Sequence, residues 1–426
     1  MPEPIRASAA RPHPEARRPR MWPLYVGGFL GTYGSTMVTP MLQEVATGLG
    51  TTPEVAAASV TAYMVPLAVL MLVSGTLAER WGRARTLRVA LVLGVVVCAL
   101  CGLAPTIAWF LAARVLQGAA NAFMIPLLVA AITDLVPRAR LGRALGLFAG
   151  MQAAGQAFSP LVSGAAATVN WRWAFVAPSV VTAVLALLPP VMHSSGTRPA
   201  SARVVRWREL ANGRLAVACA LSFLCYCASV GLTLLGVLRA QEEFGLGAGE
   251  RGLVSAAFGV AGLAAASMLG GRLDALGPRR TGIAMNVALA VGVLAAALSP
   301  TVLLMTAGIA VVGIAVTGLR TTVNAIAATS ASGNRAGAAS LALSLQFFGG
   351  ALAPLVWVPA YSAHGDIGFA AVAAAPVLAL VLLAVVGPLG TDARPLAGPR
   401  DATATRSELV EEKAQEPPGP GSNVGR

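Results

Sequence analysis

Long apolar stretches alternate with short polar stretches along most of this chain. An apolar run of about 20 residues is long enough to cross a bilayer as an α-helix. Twelve such runs occur, so the pattern predicts an all-α membrane protein with twelve transmembrane helices. The predicted runs are residues 21–42, 55–78, 87–104, 106–133, 142–167, 172–192, 214–238, 252–272, 281–299, 301–328, 336–360 and 367–388.

The composition supports a membrane protein over a soluble one. Of 426 residues, 56% are hydrophobic and only 12% are charged, whereas soluble domains carry about 25% charge. The net charge of +13 raises the alternative of nucleic-acid binding. The arginines lie in short segments between apolar runs, with no basic face interleaved with aromatic residues, so we expect no nucleic-acid partner.

The basic residues are distributed unequally between alternate loops. With the N-terminus placed inside, 26 of the 31 lysines and arginines fall in inside segments and three fall outside, while Arg114 and Arg320 lie within predicted spans. Such an excess marks the cytoplasmic side of a membrane protein. The pattern predicts a multi-pass protein of the plasma (inner) membrane with both termini cytoplasmic.

An internal repeat indicates two related halves. The spacing Gly-x3-acid-x2-Gly-x2-Arg begins at Gly75 and again at Gly270, 195 residues later, and Gly155-x3-Ser-Pro-Leu-Val resembles Gly349-x3-Ala-Pro-Leu-Val. Parallel repeats of this kind occur in transporters. We therefore predict two pseudo-symmetric six-helix bundles, separated by a polar loop. The predicted segments are a cytoplasmic tail (1–20), an N-terminal bundle (21–192), a central cytoplasmic loop (193–213), a C-terminal bundle (214–388) and a disordered cytoplasmic tail (389–426).

The first copy of the repeat carries a family resemblance. The stretch GTLAERWGRAR at 75–85 resembles the loop 2–3 signature of the major facilitator superfamily, G-x-L-a-D-r-x-G-r-k/r, with Glu79 in place of the usual Asp. Arg114-Val-Leu-Gln-Gly resembles the fourth-helix motif of that family, and NWRWAF at 170–175 resembles the opening of its sixth helix. The resemblance covers about residues 20–390.

A further motif points to one branch of this family. The fifth predicted helix resembles the motif G-x8-G-x3-G-P-x2-G-G of the drug:proton antiporter branch, with two glycines changed to serine. The resemblance implies a secondary active transporter that exports small amphipathic or drug-like molecules by alternating access, coupled to protons. The small residues would let helices approach closely, and proline would bend the helix. The motif residues are Gly146, Gly155, Ser159, Pro160, Ser163 and Gly164.

The loop 2–3 motif predicts a charge cluster. Glu79 and Arg83 lie four residues apart and pair if the second helix continues through this stretch, and Asp134 ends the fourth helix on the same side. We expect these groups to clamp helix ends together, and the resemblance implies that the clamp stabilises an outward-open state. Glycines at fixed spacing would allow a close approach and a tight turn. The predicted clamp comprises Gly75, Glu79, Arg80, Gly82, Arg83, Arg85 and Asp134.

The two arginines inside spans are functional candidates, because an intramembrane charge is costly unless it faces a cavity or a partner. Arg320 is also close enough to the cytoplasmic end to reach it. Transport pathways lie near the midplane, where the two halves meet. The predicted cavity candidates at that depth are Tyr33, Thr36, Gln117, Asn121, Gln152, Gln156, Tyr226, Gln346 and Phe347.

No Asp or Glu lies in the middle of a predicted span, which leaves proton coupling open. Glu44 and Asp134, near span ends, are the candidate proton carriers. An uncoupled facilitator, or uptake or exchange of a small anionic metabolite with Arg114 as counter-ion, remains an alternative. A membrane receptor without transport is a third interpretation.

Other classes of function receive little support from the sequence. The five cysteines lie inside apolar runs, and the three histidines are scattered, so no metal site or catalytic constellation is predicted. We expect a monomer that is not an enzyme, binds no cofactor or metal, and has a small-molecule substrate, protons and the lipid bilayer as its partners.

Overall fold

A computed structural model describes residues 21–189, 212–330 and 335–386 of the protein. Three predicted segments lie wholly or mostly outside these ranges: the N-terminal tail (1–20), the central loop (193–213) and the C-terminal tail (389–426). Within the described ranges every regular element is a helix.

Residues 21–189 form eight α-helices. Their bounds are α1 (Trp22–Thr36), α2 (Leu42–Gly48), α3 (Pro53–Trp81), α4 (Arg83–Gly102), α5 (Ile107–Asn121), α6 (Met124–Leu135), α7 (Arg138–Ala167) and α8 (Val176–Leu187), with short 3₁₀ helices at Thr39–Met41 and Trp171–Phe175.

The second half forms seven more α-helices within the described ranges. Their bounds are α9 (Gly213–Glu242), α10 (Ala248–Leu276), α11 (Pro278–Ala297), α12 (Val302–Ser330), α13 (Arg335–His364), α14 (Asp366–Ala370) and α15 (Ala374–Val385), with a 3₁₀ helix at Ala371–Ala373.

Each of the twelve predicted runs corresponds to a helical segment, so the predicted all-α architecture is confirmed. Among the described residues, eight stretches are long and apolar enough to cross a membrane. The other four runs are also helical, and they correspond to α1, α7, α8 with its preceding 3₁₀ turn, and α10.

Four predicted runs are interrupted, and each interruption lies about one turn before a proline. Proline has no N–H to donate to the carbonyl four residues earlier, and its ring clashes with that carbonyl. Thus α1 ends at Thr36, four residues before Pro40, and the chain resumes as α2, which carries Glu44 beyond the predicted end of the first span. The prolines at the interruptions are Pro40, Pro126, Pro178 and Pro376.

The two halves repeat the same backbone contacts. A Cβ on Gly118 would lie 2.0 Å from the carbonyl oxygen of Tyr63, and a Cβ on Gly313 would lie equally close to that of Phe258. Both members of the second pair are shifted by 195 residues from the first. A side chain at either glycine would force the helices apart, so both copies require glycine for close approach. This agreement is what a duplicated bundle would produce.

The turns of the internal repeat also match. Gly82 separates α3 from α4 with φ of 87°, and Gly277 separates α10 from α11 with φ of 77°. Both values lie in the region that favours glycine. The predicted tight turn at Gly82 is therefore present in both copies. We call the face of the molecule that carries these two turns the arginine-rich face, and the face at the other ends of the helices the far face.

Helices of the two halves contact each other directly. Thr61 on α3 donates a hydrogen bond of 2.7 Å to the carbonyl of Ala351 on α13, and Ser344 on α13 donates one of 2.7 Å to the carbonyl of Ala68. The helix α7 packs against α10 in the same way, along small residues. These two helix pairs join the halves and enclose the candidate site.

Candidate transport site

The outer parts of α7 and α10 are in close contact toward the far face. A Cβ on Gly164 would lie 2.6 Å from the carbonyl oxygen of Ala248, and a Cβ on Gly252 would lie 2.5 Å from that of Pro160. Only glycine allows backbones to approach this closely. The two halves are therefore packed without a gap along this part of the interface.

An ion pair also joins the halves near the far face. Arg251 on α10 pairs with Glu44 on α2 and donates a second hydrogen bond to the side-chain oxygen of Gln241. The side chain of Arg251 is only 2% exposed. Glu44 is 26% exposed, so the pair is partly shielded from water, and it links α2 to α10 across the two halves.

Toward the arginine-rich face, the same helices diverge around a cavity of about 410 Å³. Residues at helical spacing on α7, α10 and α12 line it, and the lining residues Gly146, Thr321 and Asn324 are exposed. The cavity therefore opens toward the arginine-rich face. Its described lining residues are Gly146, Ala149, Gly150, Ala153, Gln156, Phe258, Gly259, Gly262, Leu263, Ala266, Gly313, Val316, Thr317, Arg320, Thr321 and Asn324.

A hydrogen bond between the halves closes the inner end of this cavity. The Gln156 side chain on α7 donates to the Tyr226 hydroxyl on α9 over 3.1 Å. Gln156 and Phe258 also line a second cavity of about 40 Å³ on the far side of this bond. The second cavity is too small for an organic substrate, so Gln156, Tyr226 and Phe258 form a partition across the pathway.

The structure separates the predicted cavity candidates into two groups. Gln156 lines both cavities, and Thr36 and Tyr226 line the small one, while the ring of Phe347 packs against Tyr226 with centroids 5.9 Å apart. The other candidates line neither cavity: Tyr33, Gln117, Asn121, Gln152 and Gln346. Asn121, for example, donates to the Tyr63 hydroxyl and to the Gly31 carbonyl, and so joins helices within the first half.

Arg114 is enclosed within the first half. Its side chain is fully buried, donates to the carbonyls of Gly34 and Ser59 at 3.2 and 3.4 Å, and donates to the Gln117 side chain at 2.5 Å. Its guanidinium also lies 4.3 Å from the centroid of the Tyr63 ring. Arg114 lines neither of these two cavities, and its contacts link α1, α3 and α5.

Arg320 lies in a different environment. It lines the 410 Å³ cavity at the side contributed by α12. Within the described ranges, its side chain forms neither a hydrogen bond nor an ion pair. The sequence left open whether this arginine extends to the membrane surface, and the structure instead places it at the boundary between the halves.

Part of the predicted clamp is assembled at the arginine-rich face. Arg83 lies 3.1 Å from Glu79 and 2.9 Å from Asp134, which joins the ends of α3, α4 and α6. Arg80 and Arg85 do not reach this cluster and instead line a separate groove of about 610 Å³. The clamping role remains a prediction.

The predicted close approach at Gly75 is wrong. A Cβ placed there would have no heavy atom within 4 Å. Gly75 faces outward from α3, so packing does not require a glycine at this position.

Most of the fifth-helix motif packs against α1 or α10. The predicted close approach at Gly146 is wrong, because this residue is exposed and a Cβ there would have no heavy atom within 4 Å. A Cβ on Gly155 would lie 2.2 Å from the carbonyl oxygen of Phe29 on α1. Ser159 is buried and donates to the Tyr33 carbonyl, while Ser163 donates back to the carbonyl of Ser159, one turn earlier on α7. The two serines that replace glycines therefore satisfy their hydroxyls with nearby carbonyls. Gly164 contacts α10, and Pro160 lies inside an unbroken α7.

Sequence reasoning missed Phe258, Asn324 and the partner of Glu44. Phe258 contributes to the partition, Asn324 lies one turn from Arg320, and Glu44 pairs with a residue 207 positions away. The spacing of Arg320 and Asn324, four residues apart on one helix face, is a local signal that could have been found. No local signal in the sequence indicates the partner of Glu44.

Solved transporter structures share this architecture. A bacterial homologue of the human lysosomal transporter Spinster in an inward-facing, unoccupied conformation aligns with a TM-score of 0.64 and 15% identity over 87% of this chain and 95% of that one. A D-xylose–proton symporter gives 0.69 and 16%, over 85% and 96%. The nucleoside transporter NupG gives 0.70 and 13%, over 86% and 100%. At these identities the likeness shows the fold alone.

The fold of two repeated helical halves is the one that these solved transporters share. The chain belongs to the Major Facilitator Superfamily, whose family model matches residues 24–273 and 219–418.

Several curated relatives match part of the chain. An "Uncharacterized MFS-type transporter YybF" of Bacillus subtilis is 27% identical over 215 residues, which is 49% of this chain and 47% of YybF. The "Putative multidrug resistance protein MdtD" of Salmonella typhi is 29% identical over 164 residues, 38% of this chain and 35% of MdtD. The matches thus span less than half the length of these relatives.

Proposed function

We propose that this protein is a secondary active transporter that exports small amphipathic molecules by alternating access. The observation that carries this proposal is the cavity between the halves, which opens toward the arginine-rich face and ends at the Gln156–Tyr226 partition. A volume of about 410 Å³ falls within the range of roughly 300–1,000 Å³ typical of small-molecule sites. Its apolar walls and few polar groups fit an amphipathic substrate.

The direction of transport rests on two supporting points. The basic-residue distribution assigns the arginine-rich face to the cytoplasm, so the cavity would receive its substrate from the cell interior. The relative MdtD is named for multidrug resistance. Both points favour export from the cytoplasm across the plasma membrane.

Protons are the coupling ion in this proposal, and Glu44 is the group that would bind them. It is the described carboxylate that pairs across the two halves, through Arg251. Protonation removes its charge and weakens the pair. Proton binding from the far face would therefore weaken this contact between the two halves.

The alternative with Arg114 as substrate counter-ion receives no support from the geometry. The hydrogen bonds of Arg114 are to helices of the first half, and its side chain is fully buried away from both cavities. No observation favours a receptor without transport.

An accumulation assay tests the proposed function. Expression in a pump-deficient host should lower the accumulation of exported fluorescent or antibiotic compounds, and collapse of the proton gradient should restore it. The variant Ala153→Trp fills the cavity and should abolish this export at unchanged membrane levels. The matched control is Val162→Trp, on the same helix but 37% exposed and away from the cavity. Equal accumulation with and without the protein across a broad compound panel would contradict the proposal.

A further inference from the structure

One side of the cavity lining carries a positive charge. Arg320 on α12 lines the cavity, and Asn324, four residues later on the same helix face, lines it as well. Neither side chain has a hydrogen-bond or ion-pair partner in the described part of the chain. The neighbouring hydroxyls of Thr317 and Thr321 differ, because each already donates to a backbone carbonyl. The donors available to a ligand are therefore a guanidinium and an amide one turn apart.

No carboxylate among the described lining residues balances this charge. The cavity's lining contains Arg320 but neither Asp nor Glu. A guanidinium keeps its charge at any physiological pH and matches the two oxygens of a carboxylate with parallel donors. An ionisable group placed inside a membrane protein without a partner marks a functional site, because its desolvation is otherwise uncompensated.

The rest of the cavity is apolar. Phe258, Leu263 and Val316 contribute side chains to its walls, and glycine and alanine form much of α7 and α10 at this depth. A ligand that fits both parts has an apolar body and a single anionic group. Arg320 and Gly313 lie about two turns apart along α12. This distance leaves room for the apolar body of the ligand beside the partition.

We propose that Arg320 and Asn324 bind the carboxylate of an amphipathic organic anion, and that such anions are the preferred substrates of the cavity. This inference rests on the proposed function and assigns the substrate class to the same site. It also assigns the role of counter-ion to Arg320, on α12, in place of Arg114.

Matched pairs of acids and amides test this inference. The purified full-length protein, in a neutral detergent, is titrated with 1-naphthaleneacetate and 1-naphthaleneacetamide, and with salicylate and salicylamide, and binding is read by thermal stabilisation and equilibrium dialysis. Each acid should bind at least about tenfold more tightly than its amide, because the charge-assisted hydrogen bonds are lost in the amide. Arg320→Gln should abolish this preference, and Arg320→Lys should retain part of it.

The control variant is Arg280→Gln, which removes an exposed arginine at the start of α11 and should keep the wild-type preference. Melting temperatures without ligand establish that each variant is folded. Equal affinity for acid and amide in the wild type, an undiminished preference in Arg320→Gln, or no binding of any acid would each overturn the inference. The export assay measures the proposed function separately: acid-selective binding without export of any compound would leave this assignment standing and contradict export.

Discussion

Arg114 and Arg320 both lie inside apolar helices, yet their surroundings are opposite. Arg114 is fully buried and directs its donors to two backbone carbonyls and the Gln117 side chain. Arg320 lines a cavity and has no partner among the described residues. The hydrogen bonds of Arg114 all lie within the first half of the molecule. The cavity at Arg320 is lined by helices of both halves.

This difference separates two uses of an intramembrane charge. A guanidinium whose donors are occupied by backbone groups stabilises a helix assembly, because its desolvation is offset by those hydrogen bonds. A guanidinium without such contacts remains available to a ligand. Location within a predicted span applies to both residues, so it does not distinguish an arginine bonded within the protein from one that lines a cavity.

Replacement of Arg114 should have the largest effect of the variants considered. Arg114→Ala removes the links among α1, α3 and α5 and leaves the buried Gln117 oxygen without its donor, at a cost of roughly 1–3 kcal/mol for that group alone. We expect transport to fall to background, with a lower melting temperature and a lower yield of folded protein. Fluorescence-detected size exclusion and transport assays measure both effects.

The matched variant Arg320→Ala sharpens the contrast. It should fold as the wild type does, since the Arg320 side chain has no protein partner to lose within the described ranges. If Arg114→Ala were as stable as Arg320→Ala and still transported, the structural role of Arg114 would be excluded.

The sequence predicted the helices better than it predicted their surroundings. Each apolar run corresponds to a helical segment within the described ranges, because the bilayer requires about 20 apolar residues for each crossing. The short helix α2 (Leu42–Gly48) lies beyond the end of its run and was not predicted. The apolar runs do not identify which prolines interrupt a helix: Pro40 lies at a break, whereas Pro66 and Pro160 lie inside continuous helices. Neighbouring helices and side chains decide how a helix accommodates proline.

Which residues line the candidate site depends on how each helix is rotated about its own axis, and the sequence specifies this rotation poorly. Where a helix is apolar on all sides, no polar face indicates which residues meet the cavity. Asn121 and Gln156 are both mid-span amides, but Asn121 is bonded within the first half and Gln156 lines the pathway.

The charge cluster of Glu79, Arg83 and Asp134 was predictable from loop position, which places all three at one face. The predicted continuation of the second helix between Glu79 and Arg83 is wrong, because Gly82 separates α3 from α4 there.

A third arginine, Arg251, extends the comparison to an ion pair across the halves. Glu44→Gln should weaken the contact between the halves at the far face, since it leaves the buried Arg251 guanidinium without its negatively charged partner. A cysteine at Thr36, which lines the small cavity behind this pair, should then react faster with a membrane-impermeant thiol reagent added from the far face, by on the order of tenfold or more.

Two controls define this experiment. The native cysteines are all buried among the described residues, so the labelling of the parent protein gives the background. Glu44→Asp keeps the negative charge and should label more slowly than Glu44→Gln. An unchanged rate in Glu44→Gln would show that the ion pair does not hold this face closed.

The smallest effect is expected at the most exposed of these arginine contacts. Glu79 and Asp134 are both 44% exposed and pair with Arg83, which is 30% exposed, and exposed ion pairs contribute about 0.2–1 kcal/mol. Glu79→Ala should therefore slow transport by no more than about fivefold, the rate equivalent of that energy, while membrane insertion is unchanged.

Glu54→Ala, which removes an exposed acid from the opposite end of α3, should leave the rate at the wild-type value. Initial rates of substrate movement in inverted membrane vesicles provide the measurement. Equal rates in Glu79→Ala and Glu54→Ala would remove the clamp, and a complete loss of transport would show that Glu79 contributes more than an exposed ion pair.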